Sequence, residues 1–140
     1  MFSSPRPLGK RWGVPFELRL RPVASAPSEA RQFLRRWLGN RARTPGGRDA
    51  LLVVSELVTN GVIHDGGDDI VVRAEDGIEA LTIEVVTTPR PEGVAPFPRP
   101  NVEPDEVGRG MAVVAAVCDD VDVHNDDFGR RIVCCYLTLA

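Results

Sequence analysis

Six of the chain's twelve prolines fall between Thr87 and Gly108, at positions 89, 91, 96, 98, 100 and 104. Proline lacks an amide hydrogen and fixes φ, so no helix or strand is expected to persist at that density. The chain must therefore fold around an irregular segment, residues 87–108. A loop of that length inside a compact domain is usually functional or mobile. Everything regular has to form on either side of it.

Upstream, "PFELRL" places Phe16, Leu18 and Leu20 on one side and reads as a strand. In "SAPSEARQFLRRWL" Ser25 is a candidate cap and Pro27 suits a first turn. Ala30, Phe33, Leu34, Trp37 and Leu38 then recur at helical spacing. "NRARTPGGRD" breaks this helix, and a second is expected from about Arg48 to His64, with Leu51, Val54, Leu57 and Val58 as its apolar stripe. "DGGDD" ends it. "IVVRA" and "ALTIEVV" are strands joined through Glu75, Asp76 and Gly77, an Asp-Gly hairpin signal. Downstream of the prolines, "GRGMAVVAAVC" opens a third helix, and "VDVH" and "RRIVCCYLTL" are strands around a turn at Asn125 to Gly129. The order β-α-α-β-β-loop-α-β-β predicts an α/β (α+β) two-layer sandwich, a mixed, mostly antiparallel sheet with helices on one face.

At 140 residues and 43% hydrophobic, the chain is long enough for one domain with a real core. Residues 1–14 contain basic residues but no apolar stretch, so they read as a loose arm rather than a secretory signal. Residues 15–140 are the domain. A net charge of −3 argues against a nucleic-acid surface, and no apolar run reaches membrane-spanning length. Cys118, Cys134 and Cys135 have neither disulfide nor metal spacing, which suits a reducing, cytoplasmic setting. His124 reads as a solvated residue. Arg31, Arg35 and Arg36 read as a solvated basic stripe or a partner contact.

Two motifs carry chemistry. "SELVTNGVIH" puts Glu56, Asn60 and His64 four residues apart, on one stripe of the second helix. An Asn oxygen is a hard, neutral ligand suited to Mg²⁺ shared with phosphates. A Glu one turn away can accept a proton from a hydroxyl or water. "GRGM" places Gly108 and Gly110 at a helix start, where backbone amides can approach an anion. Either motif alone has a plain structural explanation. The two in this order, around a proline-rich segment, are more specific.

From about Phe16 to Leu139 the chain resembles the Bergerat-fold (GHKL) ATPases, the superfamily of histidine-kinase catalytic domains, gyrase-type ATPases and the heat-shock-90 chaperone. The likeness is nearest to the small bacterial anti-sigma-factor and protein-serine-kinase type. "SELVTNGVIH" resembles the N-box and "GRGMAVV" the second glycine box. The resemblance implies ATP and Mg²⁺ as cofactors. Glu56 would be the general base, Asn60 the Mg²⁺ ligand, and His64 a residue near the phosphates. Gly108, Arg109, Gly110 and Met111 would hold the nucleotide under a lid formed by residues 87–108. It further implies a sigma factor or its antagonist as partner, phosphorylation of a serine on the antagonist, and a homodimer.

Two positions depart from the family pattern. An Asp that accepts from the adenine amino group is expected after "LTIEVV", where this chain has Thr87 and Thr88. A Thr is expected before the last strand, where "GRRIV" puts Arg131, a donor-only side chain. The metal and phosphate end is kept while the adenine end is altered. Two readings therefore stand: an ATP-dependent protein-serine kinase that binds a sigma factor, or a nucleotide-independent binding regulator on the same fold.

Overall fold

Apolar side chains at every second strand position give a sheet one face that must be covered. In a computed structural model of the chain, residues 15–77, 80–91 and 104–138 are described, with backbone alone for 104–109. Five strands, β1 (Phe16–Leu20), β2 (Ile70–Asp76), β3 (Ala80–Thr87), β4 (Asp120–Asn125) and β5 (Arg131–Thr138), form one sheet in the order β1-β2-β3-β5-β4. Every pairing is antiparallel. Three helices, α1 (Ala26–Leu38), α2 (Pro45–His64) and α3 (Pro104–Val117), complete the chain with a short 3-10 helix at Gly39–Arg43. The expected two-layer α+β arrangement is the one found.

The core lies between sheet and helices. Val72, Ala74, Leu81, Ile83, Val85, Cys135 and Leu137 from the strands meet Ala30, Leu34, Val54, Leu57, Val58 and Val62 from the helices. On the opposite sheet face Val71, Val86 and Ile132 form a separate small cluster. Glu84 also lies on that face, since it alternates with Ile83 and Val85, yet it is 5% exposed. Burial pushes its carboxyl up to about 7, against the opposing pull of Arg73.

Helix ends depart from the sequence reading in three places. Ser25 makes no side-chain cap to α1, and Phe33, one of the apolar residues at helical spacing, is 41% exposed under the guanidinium of Arg36. Second, α2 starts at Pro45, not near Arg48, because Thr44 accepts a bond from the Gly47 amide at 3.0 Å and proline suits a first position. Third, α3 starts at Pro104, so the last of the clustered prolines begins a helix instead of extending a loop. A first-turn proline costs nothing, since its amide would have no helical partner.

Arg31 is no free member of a basic stripe: its Nη1 donates to Ser55 Oγ at 2.6 Å and ties α1 to α2. Asp76, read as a turn residue, ends β2 buried, with Arg41 donating to it at 2.5 Å. In the final turn Gly129 takes φ 80, and Asp126 accepts from the amides of Phe128 and Arg130. His124 is part-exposed, its Nδ1 3.0 Å from Asp122.

Candidate nucleotide site

The C-terminal half of α2 crosses the ends of β3 and β5 and leaves a cavity of about 430 Å³ between them. Leu57, Val85, Met111, Val123 and Val133 give it apolar walls. Asn60 and His64 line it from α2, and Asp65, Thr87 and Arg131 supply its other polar groups. A slot with apolar walls and a few convergent polar groups suits a flat heteroaromatic ring.

Helical spacing does bring the stripe together, but not all onto one surface. Asn60 and His64 face the cavity, while the Glu56 carboxylate lies against α3, where a β-carbon on Gly110 would collide with it. A similar close approach holds at the cavity floor. A β-carbon on Gly61 would sit 2.5 Å from the Thr87 methyl and 3.2 Å from Ile70, so only glycine lets β3 come this near to α2.

The expectation that Gly108 and Gly110 sit at a helix start needs correcting. Both lie inside α3, beyond its first turn. Amides there are committed to carbonyls four residues back and are not free to cradle a phosphate in this arrangement. The side chain of Arg109, the arm 1–14 and the part of the lid at 92–103 lie outside the described residues. Met111 does line the cavity, half-buried.

The altered end is built around a residue that sequence reasoning missed. Asp65, the C-cap of α2, is 5% exposed. Its Oδ2 accepts from Thr87 Oγ1 at 2.8 Å and from Arg131 Nη1 at 2.8 Å. Thr87 and Arg131 are themselves cross-strand partners on β3 and β5. The two departures from the family pattern therefore meet on one carboxylate. Arg131 neither leaves the site nor stands uncompensated in it. No local sequence signal marks it: an acid at a helix C-terminus opposes the helix dipole, and it is the burial, set by the tertiary fold, that demands a cation. The loop after Asp65 is held too, with the Gly67 amide donating to Thr88 at 2.9 Å and Arg90 donating to the Ile63 carbonyl at 2.8 Å.

The described residues hold no group of three or more His, Cys, Asp or Glu able to bind a metal. A Mg²⁺ at Asn60 would thus take its remaining ligands from phosphates and water. The apolar walls with Asp65, Thr87 and Arg131 fit a purine ring, and Asn60, which lines the same cavity, would offer its oxygen to a Mg²⁺ bound there.

Among the described residues no helix is long and apolar enough to cross a membrane. No curated protein is similar enough to the chain to be matched. The family described as histidine kinase-like ATPase domain matches residues 16–136, from the first residue of β1 into β5. That match spans the sheet, all three helices and every residue lining the cavity. The chain belongs to the histidine kinase-like ATPase domain family.

Proposed function

We propose that the protein is an anti-sigma-factor-type regulator that binds Mg·ATP in the cavity beside α2. Its target would be a sigma factor or that factor's antagonist, with a serine on the antagonist as phosphoryl acceptor. The observation that carries the reading is the cavity itself. Asn60 and His64 stand on one side of it, apolar walls enclose it, and hydrogen-bonding groups close it at Asp65, Thr87 and Arg131.

When bound, Mg·ATP supplies the phosphoryl group. Asn60 offers a neutral oxygen to the metal. His64, exposed at the end of α2, lines the same cavity one turn beyond Asn60. Glu56, one turn before Asn60, accepts the proton of the acceptor hydroxyl. Its position against Gly110 fixes where that carboxylate can lie. Positioning and charge stabilisation do most of the work in such transfer.

Glu56→Gln keeps the shape and removes the base. Phosphoryl transfer to a serine of a candidate antagonist, followed with labelled ATP, should fall by about a hundredfold or more while Mg·ATP affinity stays within a few-fold. Unchanged transfer would remove Glu56 from the mechanism. The second reading, a nucleotide-independent regulator, has one observation in its favour: Asp65 Oδ2 already serves two donors from within the chain. Binding of a sigma factor with equal strength with and without Mg·ATP would select it.

A further inference from the structure

We propose that Asp65 reads the base edge of the bound nucleotide, selecting a 6-amino purine, from the end of α2 rather than from the end of β3. The inference rests on the nucleotide-binding reading above.

An ionised carboxylate only accepts, and its two oxygens offer roughly four lone-pair sites. Oδ2 of Asp65 uses its own on Thr87 and Arg131, both at 2.8 Å. These bonds fix the orientation of the carboxylate. Its remaining acceptor capacity, chiefly Oδ1, is left for a ligand in the cavity that Asp65 lines. The exocyclic amino group of adenine is such a donor. Arg131 has five N–H groups and spends one on Asp65, so others are left for the ring nitrogen beside the amino group. A 6-oxo group in the same place would set one acceptor against another.

The same bonds say what Asp65→Asn would do. Thr87 and Arg131 both donate, so the amide oxygen must take the Oδ2 position. The amide nitrogen then takes the Oδ1 position and faces the ligand as a donor. The variant should therefore disfavour an amino group and accept a 6-oxo group. A role for Asp65 that was merely structural would weaken all nucleotides alike.

The test is calorimetric titration of the full chain with the Mg²⁺ complexes of ATP, inosine triphosphate and purine riboside triphosphate. Unliganded melting curves establish that Asp65→Asn folds. Wild type should prefer ATP over each of the other two by about tenfold or more, the worth of one hydrogen bond to a charged group. In Asp65→Asn the ratio of ATP to inosine triphosphate affinity should fall by about a hundredfold. Wild-type affinities within threefold of one another, or an unchanged ratio in the variant, would overturn the inference and leave the nucleotide site standing. Absence of binding for all three would overturn both. Should the variant not fold, the wild-type comparison of ATP with purine riboside triphosphate, which lacks only the amino group, decides alone.

Discussion

Thr87→Asp, which returns the family's acid to the end of β3, should weaken this protein rather than repair it. Thr87 Oγ1 donates to Asp65 Oδ2 at 2.8 Å, and both side chains are buried. An Asp at 87 would replace that donor by a second carboxylate facing the first. Two carboxylates at that separation cannot both ionise without cost, and Arg131 neutralises only one. Expected losses are about 2–4 kcal/mol in folding stability and about tenfold or more in Mg·ATP affinity. Acidification should shrink the stability deficit, because protonating one of the pair relieves the repulsion. The exchange Asp65→Thr with Thr87→Asp should recover most of both, since the site again holds one acid, one hydroxyl and Arg131. Chemical denaturation and nucleotide titration of the two single variants and the double variant form a double-mutant cycle. Additive single effects would mean that the residues do not act as a pair.

The second large effect concerns the face of the sheet away from the helices. Glu84 is buried there, and no hydrogen bond reaches its Oε2. Burial lifts its carboxyl to about 7 in the folded protein, with Arg73 opposing the rise. Unfolded, the group titrates near the ordinary Glu value of about 4.3. Between those values the unfolded chain has released its proton and the folded one has not. Stability from this group should therefore fall as pH rises from about 4.5 to about 7, then level off. The total is on the order of 3 kcal/mol. Glu84→Gln should flatten that part of the profile and stabilise the protein at pH values above the transition. Urea denaturation of both proteins across this range checks it. Parallel profiles would show that Glu84 is not the group responsible.

The sheet was legible because short apolar runs, alternating in β1 and in the first part of β3, are bounded by turn residues. Phe16, Leu18 and Leu20 face the core cluster as their spacing requires, and so do Leu81, Ile83 and Val85. The stripe of α2 was legible as well, since four-residue spacing puts Asn60 and His64 on one side whatever they touch. Helix starts were harder to read. Pro104 belongs to a run of helix-breaking residues, yet at a first position it breaks nothing. That shift of α3 carries Gly108 and Gly110 into the helix and commits their amides.

Asp65 shows a different limit. Within "DGGDD" it looks like one turn acid among several. What separates it from Asp68 and Asp69 is burial against residues 22 and 66 positions away in the chain, and no local pattern encodes that. Thr87 and Arg131 each depart from the family pattern in the sequence itself. Their meeting on one carboxylate depends on β3 pairing with β5 and on α2 ending above that pair.

The central claim, that the cavity beside α2 is a working nucleotide site, is tested most directly by calorimetric titration of Mg·ATP into wild type and Asn60→Ala. Wild type should bind one equivalent per chain saturably. Asn60→Ala should bind at least about tenfold more weakly with Mg²⁺ present, and the difference should vanish when the metal is chelated. Saturable binding that Asn60→Ala leaves unchanged, or no binding to wild type at all, would contradict it.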